Sequence, residues 1–134
     1  DFAVFRDLND LPMGMTAHLV FDAFDDRPST ISPVMMQLIR DEIGFDGLIM
    51  TDDLSMKALQ GARPVLARAA IDAGCDIALL CNQSLPDRIA VAEACGEMSE
   101  QAQRRAEAAL QARRTPEALD IQAAEADLSS LMQG

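Results

Sequence analysis

The chain has 134 residues, of which 49% are hydrophobic and 25% charged, so it is long enough and apolar enough for one domain with a buried core. Its net charge of −11 disfavours nucleic acids and anionic membrane surfaces as partners. Its apolar runs fall short of the roughly 20 residues of a membrane span, and we expect neither a membrane partner nor a signal peptide.

The cysteines and the single histidine do not form a metal-binding pattern. The chain has three cysteines, Cys75, Cys81 and Cys95, an odd number, and no two of them have the spacing of a pair of metal ligands. His18 is the only histidine that could join them. We therefore expect free thiols in a reducing compartment, with no metal or other cofactor. Eight methionines and no tryptophan or tyrosine predict an adaptable apolar core.

The first segment of the sequence resembles the middle of a protein more than its beginning. It begins with Asp1 and is apolar at once, at Phe2 and Phe5. Residues 1–12 are predicted to connect to a preceding element, with Phe2, Phe5 and Leu8 packing a short helical turn. We expect the chain to be the downstream part of a larger protein.

A first strand–helix unit follows. Residues 13–21 favour extended structure, with His18 near their end. This histidine is either half-buried and satisfied by a backbone partner or part of a pocket at the strand's end. Ser32 and Pro33 then predict a helix start, with serine as the N-cap and proline at the first position, and Gly44 predicts its end.

The next strand carries the strongest chemical signal. Residues 46–51 contain the apolar run Leu-Ile-Met and end in Thr51, as a buried parallel strand would, and Asp52 and Asp53 follow directly. Carboxylates at the C-terminal end of such a strand stand where β/α folds place their chemistry. An aspartate after a strand also often caps the next helix. Spacing alone leaves capping and catalysis open, and one aspartate could serve each role.

A further strand–helix repeat is predicted downstream. Residues 62–73 have helical periodicity, and Gly74 ends them. Residues 75–81 form a nearly continuous apolar run, which predicts a third strand. Asn82 follows it, either as a turn residue or on the same rim as Asp52.

The remainder of the chain is predicted to be helical. Ser84 and Ser99 are N-cap candidates, Thr115 and Pro116 predict a last helical start, and residues 123–132 extend it. Three strand–helix repeats followed by extra helices indicate an α/β fold with parallel strands.

Residues 44–56, Gly-Phe-Asp-Gly-Leu-Ile-Met-Thr-Asp-Asp-Leu-Ser-Met, resemble the nucleophile segment of bacterial β-N-acetylhexosaminidases of glycoside hydrolase family 3. Residues 11–18, Leu-Pro-Met-Gly-Met-Thr-Ala-His, support the resemblance upstream. Residues 72–76, Asp-Ala-Gly-Cys-Asp, and 80–82, Leu-Cys-Asn, support it downstream. The segments stand in the family's order, and the resemblance covers roughly residues 1–110.

The resemblance implies the C-terminal portion of a (β/α)8 TIM-type barrel, with strands six to eight and C-terminal helices. Residues 1–134 would be a single partial domain, since a closed barrel needs roughly 200 residues or more. The resemblance makes Asp52 the catalytic nucleophile. His18, Asp53, Met56 and Asn82 are candidate substrate-binding residues, although Asp53 better suits capping and Met56 better suits packing.

The implied enzyme is a retaining, cytoplasmic glycosidase that removes terminal β-linked N-acetylglucosamine from peptidoglycan fragments during cell-wall recycling. Its acid/base histidine lies upstream in the family. We therefore expect the isolated chain to be inactive unless an N-terminal barrel portion or a second chain joins it.

Two alternatives remain. The chain could be a non-catalytic barrel fragment that self-assembles through open strand edges. It could also belong to another family 3 β-glycosidase, such as a β-glucosidase. Residues 52–56, Asp-Asp-Leu-Ser-Met, speak against a β-glucosidase because they lack a tryptophan after the nucleophile.

Overall fold

The computed structural model describes residues 2–133, so Asp1 at the start of the predicted connecting segment lies outside the described residues. The elements are a 3₁₀ helix at Phe2–Leu8, β1 at Met13–Met15, a 3₁₀ turn at Ser29–Ile31, α1 at Pro33–Gln37, a π-helical turn at Leu38–Glu42, β2 at Leu48–Met50, α2 at Arg63–Ala73, α3 at Leu85–Cys95, α4 at Glu100–Gln111 and α5 at Ile121–Met132.

The two strands β1 and β2 pair in parallel, with Gly14 opposite Ile49. The predicted strand over residues 13–21 is therefore shorter than expected. Within the described residues, the predicted third strand over residues 75–81 is reduced to one parallel bridge between Met50 and Ile77. The ladder stops there because the next amide in register is bound by a side-chain hydroxyl instead of a backbone carbonyl, as described below.

The local helix signals near the strands are confirmed. The Ser32 side chain accepts a hydrogen bond from the Met35 amide at 3.1 Å, and Pro33 is the first residue of α1. The helix continues as the π-helical turn, and Gly44 follows it with φ +78°. Such a positive φ favours glycine, which has no Cβ to clash. Gly74 ends α2 in the same way, with φ +121°.

The tail differs from the prediction at its start. Ser84 and Ser99 cap α3 and α4 as expected, each accepting a backbone N–H bond. The predicted helix start at Thr115 and Pro116 is wrong, because residues 113–120 are not helical. The residue before a proline avoids the α conformation, and Asp120 offers a stronger cap through its carboxylate.

The core lies between the strands and helices α1 to α3, and β2 is buried on both faces, through Leu48 and Ile49. Two clusters of buried side chains fill it: Met36, Ile43, Phe45, Ile49, Ala70, Ala73 and Cys75 in one, and Leu54, Leu59, Leu66, Ala67 and Val91 in the other. Met35 and Met36 are buried, whereas Met13 and Met15 are 43% and 56% exposed. Because side chains alternate along a strand, these two methionines occupy the face of β1 opposite to Gly14. The prediction that methionines form the apolar core therefore holds for Met35 and Met36 but not for Met13 and Met15.

The three cysteines are free thiols, and burial raises the pKa of Cys75 to about 12. Among residues 2–133, no three His, Cys, Asp or Glu side chains come together as a metal site. None of the helices in this part of the chain is both long and apolar enough to span a bilayer.

Candidate active site

Three chain segments meet at the C-terminal end of β2. The Thr16 amide donates to the carbonyl of Met50 at 3.0 Å, and the Thr51 amide donates to that of Ile77 at 2.9 Å. Thr51 is fully buried, and its Oγ1 accepts the Leu79 amide at 2.8 Å. This hydroxyl takes the place of a ladder carbonyl and holds residues 75–81 against the strand end.

Asp52 follows Thr51 directly and is half-buried on this rim. Its Oδ1 accepts the backbone amide of Asp53 at 2.7 Å. Within residues 2–133 its carboxylate makes no other hydrogen bond, so Oδ2 remains free to act on a ligand.

Asp53 has a carboxylate that is used within the chain. Its Oδ1 accepts the amides of Ser55 and Cys81, both at 3.0 Å, and its Oδ2 accepts the Ser55 hydroxyl at 2.6 Å. These bonds, led by the Ser55 hydroxyl, hold the pKa of Asp53 below its usual range. Asp53 therefore ties the turn after β2 to the segment that follows Leu79. The two adjacent aspartates differ in how many of their carboxylate oxygens are hydrogen-bonded within the described residues.

His18 is half-buried, and both of its ring nitrogens have partners. Its Nε2 lies 3.0 Å from the carbonyl oxygen of Asp53, and its Nδ1 lies 2.7 Å from Oγ1 of Thr30. The geometry agrees with the interpretation of a half-buried histidine satisfied by a backbone partner.

Met56 and Asn82 lie on exposed loops. The Met56 side chain is 45% exposed, which does not fit the packing role expected for it, and its amide donates to the Asp53 carbonyl at 3.1 Å. Asn82 is exposed and has φ +53°, a left-handed conformation that asparagine tolerates better than most residues. Among the described residues, neither side chain hydrogen-bonds to Asp52.

The sequence interpretation missed the buried threonines of this rim. Thr16 and Thr51 stand at equivalent positions, each directly after a strand, and Thr30 lies 2.9 Å from Thr16 between their hydroxyl oxygens. A signal was available, because Met-Thr ends both strands. The two strand-end hydroxyls make separate bonds, that of Thr16 with Thr30 and that of Thr51 with the Leu79 amide.

The N-terminal end of β2 carries a separate ionic cluster. Asp76 accepts Arg40 Nη2 and the Ile49 amide on Oδ2, both at 2.8 Å, and Arg105 Nη1 on Oδ1 at 3.1 Å. Arg105 also donates to Oδ1 of Asp46 at 2.7 Å, which lowers the pKa of Asp46. This cluster joins α4 and the π-helical turn to the start of β2, away from Asp52.

Two grooves, of about 610 and 880 Å³, lie elsewhere on the surface. The smaller is at the N-terminal end of β2, beside Pro12 and Gly47, and the larger follows residues 74–80 between α2, α3 and α4. Neither is lined by Asp52, Asp53 or His18. Asp52 therefore lies on an open rim outside both grooves.

The chain matches the family model described as glycosyl hydrolase family 3 N terminal domain over residues 1–113. The β-hexosaminidase of Alkalilimnicola ehrlichii is 44% identical over 87 residues, which are 61% of this chain and 25% of that protein. The chain thus spans about a quarter of the length of this curated relative.

Solved structures agree with this match. Native NagZ from Neisseria gonorrhoeae superposes with a TM-score of 0.64 and 30% identity, over 98% of this chain and 40% of that one. NagZ from the same organism in complex with N-trifluoroacetyl-D-glucosamine gives a TM-score of 0.59 and 31% identity, over 96% and 40% of the two chains. The match over residues 1–113 includes both strands and the rim that carries Asp52, and the chain belongs to glycosyl hydrolase family 3.

Proposed function

We propose that this chain supplies the nucleophile of a retaining β-N-acetylhexosaminidase, and that Asp52 is that nucleophile. One observation carries the proposal. Of two adjacent aspartates at the C-terminal end of β2, Asp53 has both oxygens bound within the chain, while Asp52 keeps Oδ2 free among the described residues.

The chemistry follows from this arrangement. In a retaining glycosidase a carboxylate oxygen attacks the anomeric carbon, and an acid protonates the departing oxygen. Oδ2 of Asp52 forms the new bond, while the Asp53 amide holds Oδ1 and fixes the carboxylate plane. Water then cleaves the glycosyl–Asp52 ester, and the same acid/base group accepts the water's proton.

The proposed substrate is a terminal β-linked N-acetylglucosamine on a peptidoglycan fragment. The names of the relatives support the sugar, since one is a β-hexosaminidase and another was solved with N-trifluoroacetyl-D-glucosamine. The exposed side chains of Met56 and Asn82 remain proposed sugar contacts. Three free thiols support a reducing, cytoplasmic location.

We also propose that the site is completed outside residues 1–134, by the remainder of a (β/α)8 barrel that brings the acid/base group. The superposition covers 98% of this chain but only 40% of NagZ, which supports this. The exposed apolar side chains of Met13 and Met15 on β1 also suit a face that other strands cover. The isolated chain would then be a partial domain without activity.

The test joins this chain to the part of N. gonorrhoeae NagZ that it does not overlap and assays a chromogenic β-N-acetylglucosaminide. We expect the fusion to hydrolyse it and Asp52→Asn to lose several orders of magnitude of kcat, because no carboxylate remains to attack the sugar. Asp53→Asn is the matched control, changing the neighbouring carboxylate and keeping far more activity. A slow fluorosugar substrate should leave a covalent adduct on the peptide that contains Asp52.

Three results would contradict the proposal. They are full activity of Asp52→Asn, an adduct on another residue, and faster release from a β-glucoside than from the N-acetylglucosaminide. Hydrolysis by the 134-residue chain as a monomer, lost in Asp52→Asn, would overturn the need for a completing portion. Hydrolysis by a dimer of the chain and not by the monomer would identify a second copy as that portion.

A further inference from the structure

We propose that His18 is a positioning residue, which fixes the turn carrying the nucleophile by donating a hydrogen bond to the Asp53 carbonyl, and that it does not bind the sugar. This inference rests on the proposed role of Asp52. It deepens that role by naming what holds the nucleophile in place.

The direction of the hydrogen bonds around His18 is set by its partners. The Asp53 carbonyl oxygen can only accept, so Nε2 of His18 carries a proton. In the neutral ring Nδ1 is then an acceptor, and the Thr30 hydroxyl donates to it across 2.7 Å. That hydroxyl has a second possible acceptor in the Ala17 carbonyl, but at a longer 3.2 Å. Thr16 in turn donates to Oγ1 of Thr30 at 2.9 Å.

This relay runs from the buried interior to the catalytic rim. Thr30 is fully buried and Thr16 is 6% exposed, so water does not compete well for their hydroxyls. The relay ends on the Asp53 carbonyl, in the peptide that joins Asp53 to Leu54, one residue beyond Asp52. A rigid support of this kind is what a nucleophile on a turn needs, because small displacements from attack geometry are costly.

The backbone on both sides of Asp52 is held. On the preceding side, buried Thr51 is bonded to residues 77 and 79 through its amide and hydroxyl. On the following side, the Asp53 carbonyl accepts from His18 and from the Met56 amide, and the Asp53 carboxylate accepts the Cys81 amide. Among the described residues, the Asp52 carboxylate keeps one oxygen without a hydrogen-bond partner, as an attacking group requires.

The same contacts argue against a sugar-binding role for His18. Both ring nitrogens are occupied, and the Asp53 carbonyl already accepts two donors. A sugar hydroxyl could bind the ring only by displacing Thr30 or Asp53. Displacing either one would break the relay and release the turn.

The first test uses the 134-residue chain and needs no activity. Nitrogen-15 NMR of the imidazole should show the proton on Nε2 of His18, and the Met56 and Cys81 amides should exchange slowly with solvent. His18→Gln places an amide N–H near the Nε2 position and should keep the slow exchange. His18→Asn reaches only the Nδ1 position and should exchange faster. A proton on Nδ1 alone, or unchanged exchange in His18→Asn, would overturn the inference.

The second test uses the fusion described above and separates binding from turnover. We expect His18→Asn to lower kcat by up to about 100-fold through misplacement of Asp52, with little change in KM, and His18→Gln to restore most of kcat. Thr30→Val should lower kcat in the same manner, whereas Thr30→Ser, which keeps the hydroxyl, should not. A raised KM with unchanged kcat in both His18 variants would show a sugar ligand and overturn the inference.

The two proposals fail separately. An inactive wild-type fusion, or an Asp52→Asn variant with full activity, counts against the proposed function. In either case the NMR and exchange results on the 134-residue chain still decide whether His18 holds the turn.

Discussion

The two ends of β2 use aspartate in opposite ways. At the N-terminal end, Asp76 has a side chain that is 5% exposed and accepts bonds from two arginines and a backbone amide. At the C-terminal end, half-buried Asp52 accepts one backbone amide within the described residues. The difference teaches that the surrounding donors, and not the residue type, decide whether a carboxylate at a strand end is structural or available for chemistry.

Arg40 shows how completely the N-terminal end is satisfied. Its Nη1 donates to the carbonyls of Phe45 at 2.8 Å and Gly47 at 2.7 Å, while Nη2 binds Asp76. One guanidinium therefore joins the π-helical turn, the approach to β2 and the segment after α2. A planar fork of donors suits this task, and a lysine could not replace it.

The largest effect that would sharpen the comparison is on stability. We expect Asp76→Asn to lower the free energy of unfolding by about 3–5 kcal/mol, because it leaves Arg40 and Arg105 partly buried without their shared anion. Asp52→Asn, the same change at the other end, should stay within about 0.5 kcal/mol. Urea unfolding followed by circular dichroism measures both free energies of unfolding. Equal decreases in the two variants would contradict the proposed difference between the two ends of β2.

A smaller effect is expected from packing at the N-terminal end. A Cβ on Gly47 would lie 2.6 Å from the Leu11 carbonyl oxygen and 2.6 Å from the Phe45 ring, so Gly47→Ala should cost about 1–3 kcal/mol. Gly14→Ala is the matched control, because its Cβ would meet only the Phe45 ring, at 3.2 Å, and the ring can shift. Thermal unfolding should rank Gly47→Ala as the less stable; the reverse order would mean that the backbone there yields more easily than the ring.

The smallest effect concerns the pH dependence at the C-terminal end. Because its donors lower the pKa of Asp53 in the folded state, Asp53 stabilises the fold above its unfolded pKa of about 3.9, and this contribution is lost as the pH falls through the lower folded value. Ser55→Ala removes the hydroxyl donor and should raise the pKa of Asp53. Carbon-13 NMR titration of the carboxyl measures this, with Ser130→Ala on α5 as the control. Equal titration curves in both variants would contradict the role of Ser55.

Local structure could largely be predicted from the sequence. The helix starts are predicted from Ser32 with Pro33, Ser84 and Ser99, and two helix ends from Gly44 and Gly74. These signals are readable because a cap or a positive φ depends on only a few neighbouring residues. The tail helix was misplaced where two local signals competed, and the Asp120 cap prevailed over the proline start.

The fate of the third strand could not be predicted in this way. Its apolar run is real, but whether it forms a ladder depends on contacts with β2. There the Thr51 hydroxyl takes the amide of Leu79, and Asp53 takes that of Cys81. Two side chains thus accept the bonds that backbone carbonyls would accept in a ladder. The hydrophobic periodicity of the sequence gives no sign of this change of acceptor.

The sequence alone determined the family resemblance, most helix caps and the position of two aspartates at the end of β2, because these depend on residues close together in the chain. Only the tertiary structure decided which aspartate keeps an unbonded oxygen among the described residues, that His18 meets the Asp53 carbonyl, and that Arg40 and Arg105 meet at Asp76. The residues that meet in these contacts are distant in the chain: Asp53 and Cys81 are 28 residues apart, and Arg40 and Asp76 are 36 apart. A side chain's availability depends on which donors folding brings to it, and for distant donors no short stretch of sequence specifies them.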